Sequence, residues 1–200
     1  MPCLMLSYED LPYHLKPCFL YFSAFPKNTE IQAENLVYVW ISEGFVSTSE
    51  DAYAVGHSYL NELIDRCLIE GSEFSGNGQV KSCKIHDFLH ELADSIQQPT
   101  CFFKPGGKLV KLPVQQCWKV YRISLMKNNI LEIKEAFRDQ RICTLLLSYN
   151  VNLRSISTRF VKHLSYLNVL DLRMTSIKSL PKSIGKLNHL KFFEFVQYKY

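Results

Sequence analysis

Two hundred residues, 47% of them apolar and 13% aromatic, suit one ordinary domain or two small ones with a packed core, and they exclude a disordered chain. Seven irregularly spaced cysteines read as reduced thiols and exclude a disulfide framework; no basic leader segment opens the chain and the longest apolar runs, such as Cys18 to Phe22, are core-sized, so a cytoplasmic protein without a membrane span is expected. The net charge of +4 conceals an asymmetry: residues 1–97 hold 5 Lys/Arg and 14 Asp/Glu (net −9), and residues 98–200 hold 18 and 5 (net +13).

In chain order, Leu15, Phe19 and Phe22 recur at helical spacing, and Pro12 and Pro17 confine that helix's start to their neighbourhood. The turn Phe25-Pro26-Lys27-Asn28 ends it. Leu36, Val37, Trp40 and Ile41 form the apolar stripe of a second helix, stopped by Gly44. Ser49 is the expected cap of a third helix, with Glu50 and Asp51 in its first turn and Val55, Tyr59 and Leu63 on one face. Leu68 and Ile69 start a strand, Asn77-Gly78 turns it, and Val80 to Ile85 returns as its partner. Asp87 opens a fourth helix with Phe88, Leu89, Leu92, Ala93 and Ile96 inward. Helices followed by a hairpin make residues 1–97 a winged-helix plan.

Residues 98–118 carry Pro99, Pro105, Gly106, Gly107 and Pro113 and read as a linker. Residues 119–200 repeat. Ile123-x-Leu125, Leu145-x-Leu147, Leu170-x-Leu172 and Phe193-x-Phe195 follow at intervals of 22, 25 and 23 residues, inside the roughly 20–29 of leucine-rich repeats. The clearest unit is Leu167-x-x-Leu170-x-Leu172-x-x-Thr175-x-Ile177, completed by Leu180, Pro181, Ile184, Leu187 and Leu190. Such strands point their leucines inward, and the intervening residues line a concave face. Thr175 stands where the repeat ordinarily has Asn, and its hydroxyl can still bond the turn backbone. The expected fold class is therefore α+β / α/β: a helical winged-helix domain with a β-hairpin wing, then a short solenoid of about three to four uncapped repeats.

Four ordered stretches, LSYEDLPYHLKPCFLYFSAFP, LVYVWISEGFV, KIHDFLHELA and LPKSIGKLNHL, resemble the plant intracellular immune receptors of the nucleotide-binding, leucine-rich-repeat class. The coiled-coil subclass of late-blight-resistance type is the most similar. The first two stretches resemble the winged helix of the family's NB-ARC module, the third its Met-His-Asp motif, here Ile85-His86-Asp87, and the fourth the start of its repeats. The family's phosphate loop, G-x-x-x-x-G-K-[ST], has no counterpart: Gly106-Gly107-Lys108 has Phe102 in place of the first Gly and Leu109 in place of Ser/Thr. The Walker-B strand and the N-terminal signalling domain are also unmatched. The resemblance thus implies a truncated product, or a piece of a longer disease-resistance receptor acting in plant defence.

The resemblance also implies roles. His86 would read the β-phosphate of ADP in an intact receptor, with Ile85 as apolar anchor and Asp87 capping the helix behind it. ADP or ATP would be the cofactor of the intact family, and none is expected to bind here because the phosphate loop is absent. Partners implied are the receptor's own nucleotide-binding domain and, through the repeats, a pathogen effector or a guarded host protein. From the residues alone, a histidine between a strand and a helix N-terminus can donate to a phosphate oxygen, and His-Asp can equally be a simple cap.

Other chemistries compete. Cys83-x2-His86-x3-His90, with Cys67 or Cys101, has zinc-ligand types but lacks a paired Cys-x-x-Cys, so no metal is expected. Direct DNA binding would place the third helix on a duplex, yet it carries Glu50, Asp51, Glu62 and Asp65 against Arg66. Indirect nucleic-acid association through the basic half and a repeat adaptor unrelated to nucleotide switching stay open. Lys162, Arg173, Lys178, Lys182 and Lys186 form either a face for an acidic partner, including the chain's own −9 half, or scattered solvated surface. His14, His57, His163 and His189 have no nucleophile–base partner set, and Cys18 and Cys143 fall in apolar contexts, so an enzyme is not expected.

Overall fold

The computed structural model describes residues 2–47, 50–100, 104–105, 120–127, 130, 133 and 141–195. The chain divides into two compact units, Met1–Cys101 and Phe102–Tyr200.

The first unit opens with α1 (Pro2–Glu9) and α2 (Leu15–Leu20), whose Leu15, Cys18, Phe19 and Leu20 are buried. Pro17 is α2's third residue, where no intrahelical N–H bond is required. The chain tightens into a 3-10 turn (Tyr21–Ala24) and stops at Phe25, extended ahead of Pro26 as a pre-proline residue must be. A two-residue strand, β1 (Ile31–Gln32), follows that the hydrophobic pattern does not announce. It leads into α3 (Ala33–Ser42), which buries Leu36, Val37 and Trp40 and ends at Gly44 with φ +78°. Phe22 meets Trp40 edge-on at 6.2 Å in the middle of this core.

Helix α4 (Ala52–Asp65) has Asp51, not Ser49, at its cap position, without a side-chain capping bond; Ser49 lies outside the described residues. Its buried stripe is Gly56, His57, Leu60 and Leu63, while Val55 and Tyr59 are half-buried. Gly56 has a spatial reason: a Cβ there would stand 2.5 Å from Val37 Cγ1, so the glycine sets the α3–α4 approach. Cys67, at φ +58°, turns the chain out of α4, and Leu68 N bonds Leu63 O at 3.0 Å. Leu68 and Ile69 are buried in that turn, and the strand β2 (Glu70–Phe74) starts one residue later. Gly78 (φ +81°) makes the hairpin turn, closed by Ser75 N to Gln79 O at 2.8 Å. β3 (Val80–Lys84) is the central strand of a three-stranded antiparallel sheet ordered β1-β3-β2, with Ile31 opposite Cys83 and Gly71 on its other side. Helix α5 (Asp87–Thr100) packs back on α2 and the 3-10 turn. Its buried side is Leu89, His90, Leu92, Ala93 and Gln97, with Ile96 half-buried; Phe88, expected inward, is 62% exposed.

The second unit holds a five-stranded parallel sheet ordered β4-β5-β6-β7-β8: β4 (Lys104–Pro105), β5 (Val120–Ser124), β6 (Arg141–Leu146), β7 (Val169–Asp171) and β8 (Phe192–Glu194). The expected linker is thus helical through Thr100 and strand at Lys104–Pro105; the rest of 98–118 lies outside the described residues. The sequence intervals become register, since Ile123 pairs with Leu145, Leu145 with Leu170, and Leu170 with Phe193. One short helical segment, α6 (Thr158–Val161), capped by the Ser157 hydroxyl on Phe160 N, follows β6; a 3-10 segment (Lys182–Lys186) follows β7. The core between sheet and connections includes Leu125, Leu145, Leu147, Leu153, Phe160, Leu164, Leu167, Leu170, Leu172 and Ile177. Phe193 shares Leu170's register yet is 41% exposed, because no strand lies beyond β8 among the described residues.

Two devices turn the chain after β6 and β7, and the first of them also after β5. Lys127, Tyr149 and Met174 all take left-handed φ values (55°, 63° and 55°) at the same interval as the strands. The residue after Tyr149 is the fully buried Asn150, which donates through Nδ2 to Leu125 O and Leu147 O (both 2.7 Å) and accepts from Ile130 N at 3.3 Å. The residue after Met174 is Thr175, whose hydroxyl donates to Leu172 O at 2.9 Å, as its chemistry predicts. The intervening strand positions, expected to line a concave face, are covered: Thr144, Leu146, Ser148, Val169 and Asp171 are all buried. Asp171 takes two hydrogen bonds from the Arg173 guanidinium (3.0 and 2.7 Å), and Arg173 Nε lies 3.2 Å from Glu194 on the next strand.

Candidate functional site

The junction between β3 and α5 brings Ile85, His86 and Asp87 together, and each falls into a different environment. Ile85, two residues after the buried Cys83, is 4% exposed, which makes it the anchor of the turn. His86 points the other way and is exposed. Its carbonyl accepts the first bonds of α5, from Leu89 N and His90 N at 2.9 Å each, so His86 is the backbone N-cap residue. Its ring stacks on exposed Phe88 at 5.6 Å with planes 14° apart. Phe88 therefore serves the surface beside the histidine and not the core, a placement that apolar character alone could not reveal.

Asp87 is the first residue of α5. Its Oδ1 is buried and has no hydrogen-bond partner among the described residues, so the expected side-chain cap is not formed. A carboxylate in the first turn still lies at the favourable end of the helix dipole. It also contributes to the field on Lys27, which donates to Glu91 Oε1 at 2.6 Å; that hydrogen bond raises the lysine's affinity for its proton, and Asp87 and Asp94 add to it. The pair ties the turn after Pro26 to α5.

By residue type His90 is a candidate zinc ligand. It is buried, and its Nε2 lies 2.7 Å from Phe25 O, so that nitrogen donates to the carbonyl and Nδ1 faces Asp94 at 3.6 Å. Cys83 is fully buried, with its thiol pushed up to about 12 by burial and then by Glu30. His86 is on the surface. Among the described residues no group of three or more His, Cys, Asp or Glu side chains is placed to hold a metal ion. The degenerate Gly106-Gly107-Lys108 segment lies outside the described residues. Of the other cysteines, Cys18 and Cys143 are buried as expected, and Cys67 is exposed. No helix among the described residues is long and apolar enough to cross a membrane.

Chemically, the junction offers an exposed imidazole beside helix N–H groups, on a surface otherwise rich in carboxylates. That arrangement can receive an anion if a second surface supplies the remaining charge. Residues 24–93 match the family described as the disease resistance protein winged helix domain, an interval that contains β1 to β3, α3, α4 and the whole junction. A probable disease resistance protein of Arabidopsis thaliana is 36% identical over 204 residues, covering 96% of this chain and 23% of the relative. Disease resistance protein SUMM2 of the same plant is 33% identical over 97% of this chain and 23% of its own length. ToMV resistance protein Tm-2(2) of Solanum lycopersicum is 39% identical over 64% of this chain and 15% of its own length. The chain thus spans about a quarter of the Arabidopsis relatives it matches from end to end. A winged helix with the Ile85-His86-Asp87 junction inside the matched interval, and identity that continues past it, make this chain a member of the plant disease resistance protein family.

Proposed function

We propose that the first unit is the winged-helix relay of a nucleotide-dependent switch in plant innate immunity, and that the second unit is the start of a leucine-rich-repeat solenoid. The observation that carries this reading is the exposed His86, held at the β3–α5 junction by buried Ile85 within the matched domain. In a longer protein of this family His86 would donate to the β-phosphate of ADP supplied by a nucleotide-binding domain, and Asp87 would polarise the helix start. The parallel register of Ile123, Leu145, Leu170 and Phe193, and the carbonyl bonds of Asn150 and Thr175, support the solenoid reading. The role is binding and relay in the cytoplasm, without catalysis, and a recognised effector or guarded host protein would engage the repeats.

By this reading the chain alone has negligible affinity for ADP or ATP and no ATPase activity, because nothing in it matches the phosphate loop. Equilibrium binding with labelled ADP checks this, and micromolar affinity would refute it. The histidine's role needs the missing surface. Residues 24–93 placed in a full-length relative should retain ADP, and His86→Ala there should weaken retention by about tenfold, the worth of one charge-assisted hydrogen bond. Equal retention by the two versions, at equal thermal stability, would remove His86 from the switch.

A further inference from the structure

The basic residues of the second unit include a stretch almost free of acidic ones. Residues 154–191 contain eight Lys/Arg and one acidic residue, Asp171, which is already bonded to Arg173. Three of the lysines converge on one groove of about 380 Å³, lined by Thr158, Val161, Lys162, Ser165, Lys182, Ser183, Lys186 and Leu187. It is the seam between the connections of two neighbouring strands, α6 on one side and the 3-10 segment Lys182–Lys186 on the other. Lys162, Lys182 and Lys186 are exposed, and they make no ion pair among the described residues. The Ser183 hydroxyl is buried within the groove's wall and has no hydrogen-bond partner among the described residues. Val161, buried, and Leu187, half-buried, give the groove an apolar floor.

We propose that this groove binds a phosphorylated peptide segment, its phosphate among Lys162, Lys182 and Lys186 and a neighbouring aliphatic side chain on Val161 and Leu187. The donor set selects the chemistry. Three ammonium groups and the hydroxyls of Thr158, Ser165 and Ser183 offer more charge and more donors than a single carboxylate can use, and they suit the double charge and three acceptor oxygens of a phosphate; lysine binds phosphate as a point charge. The apolar floor disfavours a fully charged polyanion, and a groove of this volume holds one phosphate and one side chain, not a pair of acyl chains. The site is separate from the β3–α5 junction and does not depend on the switch reading. It gives the lysines, which sequence alone left between a partner face and solvated surface, a common task.

The test uses the full chain and fluorescein-labelled peptides with a leucine–phosphoserine–leucine centre, compared with the unphosphorylated peptide. Anisotropy should show binding of the phosphopeptide at least about tenfold tighter than its unmodified form, weakening as salt rises. The variant K162Q/K182Q/K186Q should lose that preference. R154Q/K178Q/K191Q, which removes equal charge outside the groove, should keep it. These side chains are exposed, so circular dichroism should show both variants folded. Equal binding of the two peptides, no peptide binding, equal losses in the two variants, or capture only by phosphatidylserine vesicles would each overturn the proposal.

Discussion

His57 and Asn150 are both polar and both buried, yet their circumstances oppose each other. His57 lies on α4's inner stripe, its Nε2 has no hydrogen-bond partner among the described residues, and Tyr53 meets its ring edge-on at 4.6 Å. Burial lowers its affinity for a proton below the ordinary 6.5, with Glu34 opposing weakly. The unfolded chain therefore takes up a proton, below about pH 6.5, that the folded chain resists. Stability should fall as pH drops through that range, and His57→Phe should flatten the dependence of the unfolding midpoint between pH 7 and pH 5. An unchanged slope would show that other groups govern acid sensitivity. Asn150, by contrast, has its amide satisfied on both sides, and removing it strands two carbonyls and an N–H. Asn150→Ala should cost about 2–4 kcal/mol, read as a lower melting temperature. Asn150→Thr should cost less, because Thr175 shows that a hydroxyl still reaches its own turn's carbonyl. Asn150 follows Leu145-x-Leu147 at the offset at which Thr175 follows Leu170-x-Leu172, so its place was readable from the repeat alone.

Among the elements, the α3–α4 contact is set by a single missing side chain. Gly56→Ala gains about 1 kcal/mol of helix propensity and loses about 1–3 kcal/mol to the clash with Val37. A net loss of stability is expected. Val37→Ala in the same chain should recover part of it, and that coupling, measured by a double-mutant cycle, is the signature of direct contact. Additive effects would mean that α4 shifts instead. The elements that sequence made legible are those with periodic apolar residues or turn glycines: α3 with Gly44, the hairpin with Gly78, and the four strands in their 22-, 25- and 23-residue rhythm. β1 escaped because two residues carry no period. The left-handed turns at Lys127, Tyr149 and Met174 escaped because no glycine marks them; neighbours on the ladder hold those conformations. Phe88 was misplaced because helical spacing fixes a face only to within a residue, and at a helix's first turn that margin separates core from surface.

On the scale of the molecule, the charge changes sign between residues 1–97 and 98–200, and the chain divides into two compact units at 101/102. The junction of Ile85, His86 and Asp87 was legible as a place, since a strand, a histidine and a helix start are local signals. Its stacking partner and its uncapped carboxylate were not, because both depend on which way α5 turns once His90 reaches Phe25. The buried intervening positions of the sheet were likewise invisible, because alternation predicts one covered face and cannot predict two.

The alignment of Ile123, Leu145, Leu170 and Phe193 into one column has a consequence for how such a chain can change over generations. Unequal exchange that removes or duplicates a whole strand-to-strand interval rejoins the ladder in phase, and every leucine keeps its inward heading. A slip of one residue would turn an entire strand inside out. The column therefore makes each strand with its connection, 22, 25 or 23 residues long, a unit that a lineage can add or lose without changing the register of its neighbours.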